Sequence, residues 1–219
     1  GFNGTVLWKK PLTDWHPNNW PLKSGPGHLP RKLVAVGETV YVAAGLTDPV
    51  IAVDAATGKT IRTYKRTKPT QEIVFSDGVL YLLVDPKASA VNYRAETTSY
   101  KEIRHANSGW AWTPNNPKRI IMAIRADSGE VLWEHPAKVA PLSLTVAENK
   151  VFYHNGSCLV AIDRKTADEC WSSDGPAIKS VPTGGSIRVS LSEGIAVFAD
   201  GTKLTAFSQA DGKQLWTGS

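Results

Sequence analysis

One short pattern, repeated along the chain, restricts its fold more than any other feature. Ala52-Val53-Asp54-Ala55-Ala56-Thr57-Gly58-Lys59 recurs as Ala123-Ile124-Arg125-Ala126-Asp127-Ser128-Gly129-Glu130, as Ala161-Ile162-Asp163-Arg164-Lys165-Thr166-Ala167-Asp168, and as Ala206-Phe207-Ser208-Gln209-Ala210-Asp211-Gly212-Lys213. A tryptophan follows in the same register in Gly129-Glu130-Val131-Leu132-Trp133 and Gly212-Lys213-Gln214-Leu215-Trp216, and Gly4-Thr5-Val6-Leu7-Trp8 near the start matches both. The turn position therefore falls at residues 4, 58, 129, 167 and 212. Self-similarity on this scale marks a stack of like units, each too small to bury its own apolar face.

Two further apolar runs precede each turn: 33–36 and 40–43, 73–75 and 80–84, 142–146 and 151–153, 189–191 and 195–198. Turns such as Ser76-Asp77-Gly78 and Glu148-Asn149-Lys150 split the pairs, which is a hairpin signal. With the tryptophan-bearing run, each unit has four strands in about 40 residues, the size of a propeller blade, and two units carry large insertions. The expected fold is all-β, a β-propeller segment of four-stranded antiparallel blades: four blades plus one leading outer strand, forming one domain over residues 1–219. Within the turn, aspartate can accept backbone amides, glycine supplies a positive φ and alanine permits close approach. Trp8, Trp133, Trp171 and Trp216 read as blade-to-blade docking anchors, because a ring that buries about 150–250 Å² contributes several kcal/mol.

The pattern Ala-x-Asp-x-x-Thr-Gly-x-x-x-Trp resembles the tryptophan-docking repeat of the PQQ-like (pyrroloquinoline-quinone repeat) β-propeller family. That family includes quinoprotein dehydrogenases and an outer-membrane assembly scaffold lipoprotein. The resemblance covers four units and the leading strand. It implies a seven- or eight-bladed ring, completed by further sequence or a second chain, and a bacterial, extracytoplasmic or periplasmic setting. Two positions depart from the pattern: Arg62 stands in the tryptophan place and Ala167 in the glycine place. Those blades are expected to pack or turn differently.

In an antiparallel meander, connections from second to third strand and from one blade to the next emerge on the same face. Both insertions, 13–32 and 86–119, fall there, and long loops in a compact fold are commonly functional. They contain Trp15, His16, Trp20, Lys23, His28, Arg104, His105, Trp110 and Trp112, the expected ligand or partner face. His135 and His154 are expected after an outer strand and near the end of a second strand, beside the same face. Segments 13–32, 65–71 and 86–119 carry net charges of +2, +3 and +4, so this face holds more positive charge than the chain's overall +5 requires. A surface of one sign draws oppositely charged partners: an acidic protein, an anionic surface or an anionic cofactor such as PQQ. No nucleic-acid recognition motif accompanies it.

Composition excludes other classes. With 42% hydrophobic and 21% charged residues the chain is globular, and its longest apolar runs, such as Ile120–Ile124, are far short of the roughly 20 residues of a membrane-spanning helix. The sole methionine is Met122 and the chain opens Gly1-Phe2-Asn3-Gly4, so it reads as a piece of something longer, without a signal peptide. Cys158 and Cys170 lack zinc spacing and are expected as plain core thiols.

Two functions compete at this level. One is a non-catalytic repeat domain that binds a protein partner, or the rest of the propeller, through the insertion-bearing face. It requires no catalytic residue, metal or cofactor. The alternative is part of a PQQ-dependent quinoprotein oxidoreductase with calcium, as the resemblance to the dehydrogenases implies. Against that alternative, the vicinal cysteine pair of those enzymes is missing, as is a grouped Glu, Asn and Asp calcium site. The insertions offer only Asp14, Glu96 and Glu102 as acids.

Overall fold

The computed structural model describes residues 4–11, 31–45, 48–86, 112–179, 187–200 and 203–218. They build four blades. Blade 1 comprises β1 (Leu33–Val36), β2 (Thr39–Ala43), β3 (Val50–Asp54) and β4 (Thr60–Thr63); blade 2 comprises β5 (Thr70–Ser76), β6 (Val79–Val84), β7 (Arg119–Arg125) and β8 (Val131–Ala137). Blade 3 follows with β9 (Thr145–Ala147), β10 (Lys150–His154), β11 (Leu159–Asp163) and β12 (Glu169–Ser172), and blade 4 with β13 (Arg188–Ser192), β14 (Ile195–Ala199), β15 (Leu204–Ser208) and β16 (Gln214–Gly218). Each blade is an antiparallel sheet whose strands lie in chain order. The all-β architecture of four-stranded blades is thus the one the repeat implies.

The core lies between the sheets. Tyr41, Ala52 and Tyr64 of blade 1 pack on Leu80, Leu82 and Met122 of blade 2. Tyr81, Leu83 and Ile121 then pack on Val151, Val160 and Ile162, and Phe152, Leu159 and Ala161 on Ala196, Phe198 and Phe207. Strand alternation sends neighbouring residues of one sheet into successive interfaces, so both faces of blades 2 and 3 are apolar.

A β-bulge recurs after the repeat alanine, at Ala52, Ala123, Ala161 and Ala206. The alanine lies opposite the docking residue of the outer strand, in the pairs Ala52/Arg62, Ala123/Trp133, Ala161/Trp171 and Ala206/Trp216. Its methyl leaves space beside a large ring, and the bulge adds local twist.

Two expectations need correction. The first strand of blade 3 starts at Thr145 rather than residue 142. Leu142 has φ +64° and its amide donates to Glu72, while the Ser143 hydroxyl donates to Ala140 O (2.6 Å) and accepts from the His154 amide (3.0 Å). These bonds hold 142–143 out of the ladder. Cys170 is exposed and only Cys158 is half-buried. The position preceding the docking residue points outward on every outer strand, as exposed Ile61, Leu132 and Leu215 show.

Candidate functional site

Docking seats between blades come first, since they set the geometry of both faces. The Trp171 indole N–H donates to Gln209 O of blade 4 at 3.0 Å. Its ring covers Gly212, where a Cβ would lie 2.8 Å from Cδ2. Trp133 donates in the same way to Arg164 O of blade 3 (2.9 Å), and Trp8 to Ala55 O of blade 1 (2.8 Å), over Gly58. Trp216 is 45% exposed.

Where Arg62 replaces tryptophan, two side chains divide its task. The Arg62 guanidinium donates to Ser128 O (2.8 Å) and its Cδ covers Gly129. The Tyr64 hydroxyl donates to Ala126 O (2.6 Å), the equivalent of the carbonyl that an indole takes in other blades. Burial pushes the Tyr64 phenol up to about 12, which keeps it a donor. Sequence reasoning missed Tyr64, although an aromatic two residues beyond Arg62 lies on the same strand face.

At the other departure, Ala167 adopts φ +64° and Arg164 ties blade 3 to blade 2. It donates to the Tyr81 hydroxyl (2.6 Å), Asp77 Oδ2 (2.6 Å), Ser76 O (2.7 Å) and Glu148 O (3.0 Å). Asp77 is exposed, so that ion pair contributes little. The buried Tyr81 hydroxyl dominates, because losing its partner leaves it unsatisfied. Arg164→Met is expected to cost about 1–3 kcal/mol in urea unfolding, and an unchanged midpoint would dismiss this clasp.

On the face where the insertions attach, the sequence-predicted residues fare unequally. Trp15, His16, Trp20, Lys23, His28, Arg104, His105 and Trp110 lie outside the described residues. Trp112 is 2% exposed and packs with Ala140, Phe152 and Leu159 in the interface of blades 3 and 4. Gly156 gives it room, since a Cβ there would lie 2.9 Å from Cη2. Trp112 is therefore core, and its place in the contact face is withdrawn.

His135 sits within β8 rather than after it, and hydrogen-bonds the Tyr153 hydroxyl at 3.2 Å. Burial lowers the pKa of His135 and raises that of Tyr153, so both are neutral near pH 7. They line an open groove of about 430 Å³ between blades 2 and 3, with Lys118, Lys138, Asn155 and Glu169. His154 is fully buried. Its Nδ1 accepts from the Gly156 amide (3.0 Å) and its Nε2 faces Pro176 O (2.9 Å). A carbonyl can only accept, so Nε2 carries the proton and the ring is neutral. Burial moves its pKa down to about 4.

Near the starts of the first strands, Glu72 is 2% exposed. One carboxylate oxygen accepts the Leu142 amide (2.5 Å), and the other lies 3.6 Å from Arg31 without a hydrogen bond. Burial pushes its pKa up to about 7, against the Leu142 amide and the positive charges of Arg31, Arg119 and Arg188. Arg31 also donates to Leu144 O, and Arg119 to Val139 O at 2.9 Å. This cluster clamps consecutive blades together. Sequence reasoning did not mark it, because buried and solvated strand-end charges look alike in sequence.

The Glu72 cluster does not suit calcium. Glu72 is surrounded by guanidinium groups that repel a dication, and among the described residues no three His, Cys, Asp or Glu side chains converge to hold a metal. Nor does any helix among them have the length and apolarity to cross a membrane.

Comparison with known proteins agrees with this architecture. The computationally designed Ika8 protein superposes with a TM-score of 0.57 at 13% identity, over 85% of this chain and 48% of its own. Hsv2 of Kluyveromyces marxianus gives 0.54 at 10% identity, over 85% and 49%. The quinohemoprotein alcohol dehydrogenase ADHIIG of Pseudomonas putida HK5 gives 0.53 at 14% identity, over 85% and 33%. The chain thus spans about half the length of the first two and a third of the last, and likeness at these identities concerns the fold alone. No curated protein sequence matches significantly. The family model described as outer membrane protein assembly factor BamB does match, over residues 102–219. That stretch holds the tryptophan-docking units of blades 2 to 4, and the chain belongs to this family of PQQ-like propellers.

Proposed function

We propose that this chain is a non-catalytic binding module that takes an acidic protein partner through the face bearing its two insertions. The observation that carries this reading is the side chains of the described connections on that face. Lys65, Lys68, Lys118, Lys138 and Lys179 are all exposed there. Aligned positive charge raises the encounter rate with an acidic surface and selects against basic ones. The insertion aromatics Trp15, Trp20 and Trp110 add rigid contact area in this reading, with His16, Lys23, His28, Arg104 and His105 beside them. An extracytoplasmic setting belongs to the same proposal and is supported by the family's name, an assembly factor for outer membrane proteins.

Polyglutamate serves as a minimal acidic probe, with affinity measured by calorimetry at low salt. Lys118→Glu, Lys138→Glu and Lys179→Glu together are expected to weaken binding roughly tenfold or more. Lys59→Glu, Lys165→Glu and Lys213→Glu, on the opposite face, are expected to leave it within about twofold, since charges beyond a Debye length are screened. Equal losses from the two triple variants would refute an oriented face.

A further inference from the structure

The junction of blades 2 and 3 departs from its neighbours at two repeat positions. Tyr153 pairs with the residue before the repeat alanine, the place held by Leu82 in blade 2 and Phe198 in blade 4. Leu82 and Phe198 close their junctions with apolar surface. His135 lies two residues beyond the docking tryptophan, where blade 1 has Tyr64 and blade 3 has Ser173. Those two are buried and donate to Ala126 O and Gly175 O. His135 is only half-buried, and its one hydrogen bond among the described residues is to Tyr153.

The groove that this pair lines carries opposite charge at its two ends. Along β8, Trp133 docks on the turn that precedes β12, so the strand passes Glu169, the first residue of β12, before it reaches His135 and then Lys138. Lys118 and Lys138 lie just beyond the last β7/β8 pair, Arg119/Ala137. The lysines therefore mark one end and Glu169 the other. All three are exposed, and none is in an ion pair or a side-chain hydrogen bond among the described residues.

Between the charged ends the neutral pair supplies a donor. If the imidazole gives its Nε2–H to the phenol, the phenol O–H is left over; if the phenol donates, the imidazole keeps a free Nδ1–H. Either arrangement offers one N–H or O–H to a carbonyl. Pro114 and Pro136 add apolar surface at the walls. At about 430 Å³ the groove falls at the lower end of the roughly 300–1,000 Å³ typical of small-ligand sites.

We propose that this groove binds a short zwitterionic peptide, with its carboxylate toward Lys118 and Lys138, its ammonium toward Glu169, and a peptide carbonyl on the His135–Tyr153 pair. A dipeptide carries these three groups in that order along its length. Its net charge is zero, so this site is independent of the acidic partner, which is drawn by the excess positive charge of the whole face.

Titration with alanyl-alanine, followed by NMR at the backbone amides, tests the site. Saturable shifts are expected at His135, Lys138, Tyr153, Asn155 and Glu169. N-acetylation of the dipeptide and amidation of its C-terminus are each expected to weaken binding roughly fivefold. Glu169→Gln should erase the difference between free and acetylated peptide, and Lys118→Gln with Lys138→Gln that between free and amidated peptide. These side chains are exposed, so the variants keep the fold. General attraction to a basic face predicts instead that the anionic acetylated peptide binds more tightly, and that result would overturn the zwitterion site. Shifts that fail to saturate or that fall elsewhere on the protein would overturn it too, as would preferences that survive the substitutions.

Discussion

Trp171→Ala is expected to cost about 3–5 kcal/mol of stability, while Trp216→Ala costs less than about 1 kcal/mol. The two residues occupy the same repeat position, so propensity and sequence context nearly cancel in the comparison. What differs is the partner. Removing the Trp171 ring opens a void over Gly212 and beside Phe152, whose ring lies 5.8 Å away, and strips Gln209 O of its donor. Trp216 loses mainly solvated surface. Urea unfolding followed by circular dichroism measures both. Because stacked units are coupled mainly through neighbours, Trp171→Ala is also expected to broaden the transition or split it, with blade 4 melting first. Equal costs at the two sites would mean that docking does not hold the blades together.

The second large effect is hidden in the unmodified protein. Glu72 rises on folding from 4.5 to about 7, so the folded state holds an extra proton between those values and stability falls as pH rises through them. His154 moves from 6.5 down to about 4. Here the unfolded state binds the extra proton, and stability rises with pH over that window. Each shift corresponds to about 3 kcal/mol, and the two slopes oppose each other from pH 4.5 to 6.5. His135 adds a smaller contribution of the same sign as His154. A nearly flat profile is expected for the parent. Glu72→Gln should uncover a rise of about 3 kcal/mol from pH 4 to 6.5, and His154→Gln a comparable fall from pH 4.5 to 7. Three parallel profiles would show that neither burial is linked to folding.

The fold was legible because its information is local and repeated. An alternating run, a turn carrying Asp and Gly, and a tryptophan at fixed offset recur often enough that the arrangement of strands follows. Trp133 and Trp171 were readable as anchors for the same reason. Trp112 was not, because an insertion has no register against which to judge it, and only the space over Gly156 shows that it faces inward. Arg62 was visible as a departure, but its remedy depends on Tyr64 reaching across to Ala126, a contact 62 residues away. The Glu72 cluster joins three connections distant in sequence, and no local pattern distinguishes its members from solvated charges. Of the proposed contact face, the exposed lysines of the described connections follow from strand order, whereas the insertion aromatics other than Trp112 lie outside the described residues.

The docking geometry also bears on how the chain is made. Each indole seats on a turn that lies later in the sequence: 47 residues on for Trp8, 31 for Trp133 and 38 for Trp171. At a synthesis rate of about 5–20 residues per second, each waits roughly 2–9 s for its seat to emerge from the ribosome. For much of translation a nascent chain of this design carries a docking tryptophan that has left the tunnel before its pocket exists, with a gap between the seating of Trp8 and the emergence of Trp133. Each newly completed blade relieves its predecessor; blades 2, 3 and 4 then expose an indole of their own, whereas blade 1 exposes Arg62 and Tyr64 instead, so a chaperone that recognises single exposed indoles would find one at every stage but that after blade 1.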